Sequence, residues 1–326
     1  MEGHRSAAHI AAEEPPSAPP LFAALFGEPE VRIAAHDEAV PMLGAVLSYG
    51  RIVATLQQAW LAAAAAQPQR LHTRFGTPVG AVKPVAGGVE IDAGIAEAFD
   101  LAVIAEGGVF ADQARKAIRR DYGQAAWVGT VELATEAPRG VAWERFPRHG
   151  PAALLPLPDG RASLVWCVES DDDPVAALDD AQRLAVLNTI FPAALTPLRS
   201  ITPLKRFELG LNAERTLTEG RTVRIGNAAQ TLHPVAGQGL NLGLRDAAEL
   251  VNLLHRGGNL DAALRSLEWQ RGPDRWALIA TTDFLARSFT WVLPGAGAAR
   301  GLGLAALQAL PALKSALARQ MMFGRR

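Results

Sequence analysis

The 326-residue sequence has a single cysteine, Cys167, and no uninterrupted apolar run as long as the roughly 20 residues that cross a bilayer as a helix. One cysteine excludes an internal disulfide and a metal cluster built from cysteines alone. The seven histidines are scattered without the spacing of metal ligands, so no metal site is predicted. The formal net charge of -1 gives no electrostatic support for a nucleic-acid partner.

The two ends of the sequence bear on localisation. Residues 1–30 lack a basic segment followed by an apolar one, so they do not read as a signal peptide, and their Pro, Ala and Glu content predicts a loose arm. The apolar stretch from Gly301 ends in basic residues, which fits packing on its own domain or lying on a membrane surface. The sequence therefore predicts a cytoplasmic protein, with peripheral contact at the inner membrane face as an alternative.

Two kinds of strand are interleaved along the chain. Residues 99–105 form a continuous apolar run that ends before an acidic residue and two glycines, which is typical of a buried parallel strand, and residues 222–226 predict a second strand of this kind. Between them, the segments AAWVGTVEL, GVAWERF, AALLPLP and ASLVWCVE alternate in polarity and predict a mostly antiparallel sheet. The acidic run ESDDDP, residues 169–174, is interpreted as a solvated loop.

Helical patterns fill much of the rest. Helices are predicted over 51–66, 177–191, 240–255 and most of 260–323, and a small β-meander over 71–94. This order predicts an α/β fold, in which a Rossmann-like nucleotide-binding layer is interrupted by an inserted antiparallel substrate sheet and followed by a helical C-terminus.

The segment TLHPVAGQGLNLGLRDAAEL, residues 231–250, concentrates glycine at the entrance of a helix. Gly237 and Gly239 can adopt positive φ and let the backbone approach a ligand, and Pro234 makes the approach rigid. The helix that starts near Leu240 presents free N–H groups and the positive end of its dipole, which suits an anion. A tight turn without a ligand is the alternative. The strand and the polar GNAAQ segment that precede the loop favour a ligand site.

Several motifs together resemble one family. The stretch RIGNAAQTLHPVAGQGLNLGLRDAAEL resembles the second flavin motif of the para-hydroxybenzoate-hydroxylase-like FAD monooxygenases, and among them the aromatic hydroxylases of ubiquinone biosynthesis. DLAVIAEGGVF resembles the Asp-Gly motif of this family, and GPAALLPLPDGRASLVW resembles its substrate-sheet segment. The closing RQMMFGRR resembles the C-terminus of the 2-octaprenyl-6-methoxyphenol hydroxylase branch. The resemblance covers residues 31–326.

The resemblance implies a set of FAD-binding residues. Asn227 would form a hydrogen bond with the ribityl chain of FAD near the pyrophosphate, and Pro234 would border the isoalloxazine ring. The backbone that would pass the pyrimidine edge of the flavin comprises Gly237, Gln238, Gly239, Leu240 and Asn241. The N–H groups of this helix start would stabilise negative charge on the reduced flavin.

Three further positions follow from the same resemblance. Glu106 and Gly107 stand where the family often has the Asp-Gly pair that contacts FAD and NAD(P)H, and Glu is one methylene longer than Asp. Arg51 resembles the family arginine near the FAD phosphates, and a solvated residue at a helix start is an equal alternative. The sequence identifies no acid or base for the phenol.

The resemblance also implies a domain organisation and an incomplete cofactor site. Residues 31–108 and 215–326 would form a partial FAD-binding domain around a substrate-binding β-sheet domain over 109–214. Family members open with a G-x-G-x-x-G turn that binds the ADP half of FAD, and no such turn occurs in residues 1–30. GLGLAA at 301–306 is interpreted as glycines that pack helices. The sequence therefore predicts weak FAD binding or none.

The function implied by the family is hydroxylation of a polyprenylated phenol in ubiquinone biosynthesis. In such an enzyme NAD(P)H reduces FAD and O2 supplies the oxygen that passes to the ring. The alternative is a non-catalytic remnant that acts as a binding subunit among the partner subunits of a quinone-synthesis assembly.

Overall fold

A computed structural model describes residues 30–107, 118–147, 149–288 and 296–324. The strands are β1 Ala81–Val85, β2 Gly88–Asp92, β3 Ala96–Phe99, β4 Ala102–Ile104, β5 Ile118–Glu132, β6 Trp143–Arg145, β7 Ala152–Pro156, β8 Arg161–Glu169, β9 Ser200–Ile201, β10 Lys205–Ala213, β11 Thr218–Glu219, β12 Thr222–Arg224 and β13 Gln230–Thr231. The α-helices are α1 Tyr49–Ala66, α2 Asp180–Ile190, α3 Gly239–His255, α4 Leu260–Ser288, α5 Ala296–Ala309 and α6 Pro311–Phe323. Two single 3₁₀ turns, Gly226–Ala228 and Pro234–Ala236, precede α3.

The chain divides into two compact units. Unit 1 comprises Met1–Val46, Asp121–Leu209 and Asp283–Arg326, and unit 2 comprises Leu47–Arg120 and Gly210–Thr282. The chain passes between the units within β5, within β10 and within α4. The C-terminal residues from 283 onwards group with the antiparallel sheet, whereas the predicted domains attach them to the FAD-binding segments. Of the predicted loose arm, only Glu30 lies within the described residues.

Unit 2 begins with a helix and a meander, as the sequence predicts. α1 starts at Tyr49, so Gly50 lies inside its first turn, and the Oγ of its N-cap Ser48 accepts a hydrogen bond from the Arg51 backbone N at 3.4 Å. The strands β1, β2 and β3 form an antiparallel three-stranded sheet, which confirms the meander. It ends just before β4, the next strand along the chain.

A short parallel pair forms the centre of unit 2. β4 pairs in parallel with β12, with Ala102 opposite Thr222 and Ile104 opposite Arg224, while β11 pairs antiparallel with β12. The prediction of two parallel strands is therefore confirmed. Apolar residues of β12, α3 and α4 form the core beside this pair; the buried members are Leu217, Val223, Ala229, Leu250, Leu253, Leu264 and Leu267. Because α3 and α4 bury their apolar sides here, the start of α3 is held beside the ends of β4 and β12.

Unit 1 contains the predicted antiparallel sheet. Its strands lie in the order β10, β5, β8, β7, β6, with β9 beside β5. One face packs its alternate apolar residues, including Leu154, Leu164 and Trp166, against Leu187 of α2. α2 begins with a capping box, in which the side chain of Asp179 accepts from the backbone N of Gln182 at 2.8 Å and the Gln182 side chain accepts from the backbone N of Asp179 at 3.0 Å.

The C-terminal helices of unit 1 pack on its first described segment. The carboxylate of Glu38, which is 2% exposed, accepts a hydrogen bond from Ser315 Oγ at 2.7 Å and pairs with Arg319 Nε at 3.3 Å. Among the described residues no single helix is long and apolar enough to cross a membrane; Gly301–Ala309 and Pro311–Phe323 meet that length and composition only together, with a 98° bend between them. A Cβ on Gly303 would meet nothing within 4 Å, so the interpretation of this glycine as a helix-packing residue is wrong.

The acidic run of residues 169–174 is not simply solvated, contrary to the sequence-based interpretation. The Asp173 side chain is 8% exposed and accepts hydrogen bonds from the backbone N of Val175 at 2.9 Å and of Ala176 at 3.1 Å. It also accepts from Trp127 Nε1 at 3.1 Å and pairs with Arg206 Nε at 3.0 Å. One carboxylate therefore fixes this turn against β5 and β10.

Replacing Asp173 should destabilise unit 1. Asp173→Ala leaves two backbone N–H groups and the indole N–H of Trp127 without their acceptor, so we expect the free energy of unfolding to fall by about 1–3 kcal/mol. Urea denaturation monitored by circular dichroism measures the loss. The control is Asp172→Ala, because Asp172 is an exposed neighbour in the same run. Equal stability of the two variants would show that Asp173 is as dispensable as its neighbour.

Candidate functional site

The carboxyl ends of the parallel strands bring two predicted segments to one edge. Ile225 continues the ladder by donating its backbone N–H to the carbonyl of Ile104 at 3.0 Å. Glu106 and Gly107 therefore follow β4 at the same edge at which Asn227 follows β12. In open α/β sheets, ligands bind outside the carboxyl ends of the strands.

Polar groups at this edge are available to a ligand. Asn227 is exposed on its 3₁₀ turn, and Gly107 is exposed in the left-handed region with φ of 79°. Glu106 is half-buried, and its Oε2 is buried without a hydrogen-bond partner among the described residues. A buried acceptor without a donor costs about 1–3 kcal/mol, so Glu106 is suited to a ligand that donates.

The glycine loop forms a compact turn before α3. Pro234 is the first residue of a 3₁₀ turn, a position that favours proline because the N–H that proline lacks would have no partner within the turn. Gly237 ends the turn in the left-handed conformation, with φ of 59° and ψ of 18°, and donates its N–H to the carbonyl of Pro234 at 2.8 Å. A Cβ at Gly237 would meet nothing within 4 Å, so its conformation requires glycine while the space beside it is open.

The start of α3 leaves its backbone N–H groups uncapped. Its N-cap is Gln238, whose side chain makes no capping hydrogen bond and instead accepts from Asn241 Nδ2 at 3.3 Å. The first turn contains no acidic side chain. Leu240 and Asn241 are exposed, and a Cβ on Gly239 would meet nothing within 4 Å. The first N–H groups therefore have no side-chain cap, and the positive end of the helix dipole lies beside the exposed residues Leu240 and Asn241, an arrangement that suits negative charge.

A backbone contact sets the position of α3. A Cβ on Gly243 would lie 2.8 Å from the Cα of Gly226, so α3 packs directly on the turn that carries Asn227. Real Cβ atoms essentially never approach so closely. In the sequence, Gly243 follows Gly239 by four residues, a spacing that does not match the dinucleotide-binding motif. Its role in packing α3 is evident only from the fold.

His233 is buried at the base of the loop, with 2% of its surface exposed. Its Nδ1 accepts a hydrogen bond from the backbone N of Val235 at 3.1 Å, which caps the 3₁₀ turn. This bond requires an unprotonated Nδ1, and burial lowers the pKa of His233 to about 4. The imidazole is therefore neutral at physiological pH and acts as a structural acceptor.

Arg51 stands apart from the other predicted site residues. It is exposed at the start of α1, where its backbone forms hydrogen bonds with the side chains of Ser48 and Thr55. The structure thus brings together the residues after β4, the residues after β12 and the glycine loop, while the role of Arg51 stays a prediction. Among the described residues, no group of three or more His, Cys, Asp or Glu side chains could hold a metal ion.

A carboxylate in unit 1 was not identified from the sequence. Glu144 on β6 lies opposite Ala153, which lies opposite Val165, and these side chains share the sheet face away from the apolar core. Desolvation by the surrounding protein raises the pKa of Glu144 to about 7, although the residue is exposed at the surface of the sheet. Burial, with Glu144 nearby, raises the pKa of the Cys167 thiol to about 12, so the thiol is neutral and unreactive.

The buried imidazole predicts a pH-dependent stability. The pKa of His233 is lowered from 6.5 to about 4, so the unfolded chain binds this proton more readily and stability falls as pH drops from 6.5 towards 4. The full effect is at most about 3 kcal/mol. His233→Asn keeps a capping acceptor without a titrating group, so its loss of stability between pH 7.5 and 5.0 in urea denaturation should be smaller. His72→Asn, at an exposed site, is the control; a pH response of His233→Asn equal to that of the parent would contradict the assignment.

Comparison with known proteins shows similarity to hydroxylases. The chain is 38% identical over 208 residues to the ubiquinone hydroxylase UbiL of Rhodospirillum rubrum, covering 62% of this chain and 48% of UbiL. It is 31% identical over 206 residues to the 3-demethoxyubiquinol 3-hydroxylase of Escherichia coli, covering 59% and 51%. To the human ubiquinone biosynthesis monooxygenase COQ6 it is 29% identical over 234 residues, covering 60% and 50%. The chain spans about half the length of these relatives.

Two solved structures show the same fold. HpxO of Klebsiella pneumoniae, solved with FAD and uric acid, superposes with a TM-score of 0.59 at 21% identity, over 75% of this chain and 67% of HpxO. The Diels-Alderase PyrE3 of pyrroindomycin biosynthesis superposes with a TM-score of 0.60 at 22% identity, over 80% and 58%. The predicted α/β fold with a helical C-terminus is confirmed.

The edge described above fits the flavin end of FAD. The uncapped start of α3 suits the electron-rich pyrimidine edge, the exposed amides of Asn227 and Asn241 can donate or accept hydrogen bonds, and the buried Oε2 of Glu106 lacks a donor among the described residues. A family model described as FAD binding domain matches residues 115–278, half of the chain. The chain therefore belongs to the FAD binding domain family.

Proposed function

We propose that the protein is a FAD-dependent monooxygenase that hydroxylates a polyprenylated phenol in ubiquinone biosynthesis, with NAD(P)H as reductant and O2 as the oxygen source. The observation that carries the proposal is the start of α3, which has no side-chain cap and lies at the carboxyl edge of the parallel strands. Similarity to UbiL and to the 3-demethoxyubiquinol 3-hydroxylase supports the reaction class, because both are named as hydroxylases.

The residues of unit 2 would bind and polarise the flavin. When bound, FAD supplies the redox chemistry that connects NAD(P)H to oxygen. The N–H groups at the start of α3 would stabilise negative charge on the ring, and the amide of Asn227 would hold the chain that leads away from it. Glu106 would accept a hydrogen bond from the cofactor, which would satisfy its buried oxygen.

A non-catalytic binding subunit is the competing function. The comparisons favour the enzyme, because the family match covers the glycine loop and α3 and the relatives reported above are named as hydroxylases or a monooxygenase. A binding subunit would also have no need of an uncapped helix start at the same edge as Glu106, whose buried Oε2 has no hydrogen-bond donor among the described residues.

Two measurements on the purified protein test the proposed function. Titration with FAD, followed by flavin fluorescence and absorbance, should show saturable binding, and its Kd also tests the expectation of weak binding. A prenylated phenol supplied with NADPH or NADH and O2 should then gain one oxygen, detected by mass spectrometry. Absence of saturable FAD binding, or NAD(P)H oxidation that yields only hydrogen peroxide, would contradict the proposal.

A substitution at Gly239 should separate cofactor binding from folding. The space beside Gly239 is free of protein atoms, so Gly239→Val should leave the melting temperature of the cofactor-free protein nearly unchanged and raise the Kd for FAD at least about tenfold, or about 1.4 kcal/mol. Gly243→Ala should instead lower the melting temperature itself, because its Cβ would meet Gly226. Leu244→Val, at an exposed position of α3, is the matched control. Unchanged flavin affinity in Gly239→Val would rule out ligand contact at this glycine.

A further inference from the structure

A cluster of charged and amide side chains is buried in unit 2 beneath the glycine loop. Its most buried members are less than 3% exposed, and Arg271 is 7% exposed. The members are Gln230 of β13, Asp246 of α3, and Arg271, Asp274 and Arg275 of α4.

Asp246 lies at the centre of this cluster. Its Oδ2 accepts a hydrogen bond from Gln230 Nε2 at 3.0 Å, and its Oδ1 accepts from Arg271 Nε at 2.8 Å. Gln230 in turn accepts from Arg275 Nε at 2.6 Å through its Oε1. The side-chain amide of Gln230 therefore bridges a carboxylate of α3 and a guanidinium of α4.

The outer members of the cluster complete the connection to α4. Arg271 Nη1 pairs with Asp274 Oδ2 at 2.9 Å, and Arg245 Nη1 lies 3.6 Å from the same oxygen. Arg275 Nη2 donates to the carbonyls of Ala229, at 3.2 Å, and of Glu214. These bonds link α3, α4 and the backbone at the adjacent ends of β10 and β13.

Two members of the cluster flank the flavin-binding loop in the sequence. Gln230 immediately precedes the segment that contains His233 and the 3₁₀ turn, and Asp246 lies two turns into α3, beyond Gly239. The bond between Gln230 and Asp246 therefore joins the entry of the loop to the helix that leaves it.

Stability alone does not account for such an arrangement. Burying several charges has a large desolvation cost, and apolar residues of similar volume often stabilise a fold as well or better. A carboxylate that accepts hydrogen bonds from two donors instead fixes the relative positions of the groups that carry those donors. The groups joined here are the strand before the loop and the helix whose N-terminus points towards the ligand.

We propose that Asp246 is a positioning residue for the flavin: through its bonds to Gln230 and Arg271 it sets where the loop and the N-terminus of α3 lie, and thereby the affinity for FAD and the reduction potential of the bound flavin. The proposal rests on the proposed function, because FAD is the ligand concerned. Asp246 itself is fully buried and acts through the backbone of residues 232–241.

An exchange of the two side-chain types gives the sharpest test. Asp246→Asn removes the carboxylate and places an amide against the amide of Gln230, so one bond in the bridge is lost. The double variant Gln230→Glu/Asp246→Asn can form all three bonds again. Its amide at position 246 can donate to the carboxylate at position 230 and accept from Arg271, while that carboxylate also accepts from Arg275. Asp261→Asn, which breaks the surface ion pair with Arg221, is the control.

The measurements are the FAD Kd and the reduction potential of the bound flavin, with the melting temperature of the cofactor-free protein as the index of folding. We expect Asp246→Asn to raise the Kd at least about tenfold and to shift the potential, and the double variant to recover most of both. If Asp246→Asn does not fold, Gln230→Met provides the test. It removes the two hydrogen bonds of Gln230, to Asp246 and Arg275, leaves the bond between Asp246 and Arg271, and should weaken FAD binding similarly.

Two outcomes would overturn the proposal. One is a folded Asp246→Asn variant with a lower melting temperature but parental Kd and potential, since that would make the cluster structural only. The other is a double variant that folds yet shows no recovery. Failure of the parent protein to bind FAD is a different result, because it removes the proposed function itself.

Discussion

The close approach of Gly226 and Gly243 is the constraint on which the site depends. A side chain on Gly243 would lie 2.8 Å from the Cα of Gly226, so α3 can occupy its position only with glycine there. That position directs the uncapped N-terminus of the helix towards the edge at which both parallel strands end. The loop, the exposed residue Asn227 and the half-buried residue Glu106 are useful together only because α3 begins at this place.

The forces that hold α3 are of two kinds. Its apolar side packs with α4 and β12. This contact supplies most of the stabilising free energy, because burial of apolar surface is the dominant favourable contribution to folding. The hydrogen-bonded cluster around Asp246 adds direction, since each oxygen of the carboxylate accepts from a different element. The bond between Asp246 and Gln230 fixes the register of α3 against β13.

The sequence predicts well what local patterns determine. The parallel strands, the meander, the antiparallel strands and α3 follow from apolar periodicity and from the turn residues between them. The glycine loop is recognisable because Pro234, Gly237 and Gly239 lie within a few residues of one another. The predicted site residues after β4 and after β12 come to one edge because parallel pairing makes this geometrically necessary.

The features that escape the sequence depend on partners far apart along the chain. Gln230 and Arg275 are separated by 45 residues, and no local pattern marks them as neighbours. Asp173 sits in an acidic run that looks solvated, and only the fold brings Trp127 and Arg206 to it. Glu144 is inconspicuous on a short strand until the sheet register places it on a largely apolar face.

The measurement that tests the central claim most directly is a titration of the ¹⁵N-labelled protein with FAD, followed by the backbone amide signals. If the start of α3 binds the flavin, the amides of Gly237–Asn241 should shift together and saturate at the same FAD concentration, along with those of Gly107 and Asn227. Saturable shifts confined to other parts of the chain, with Gly237–Asn241 unchanged, would contradict the account.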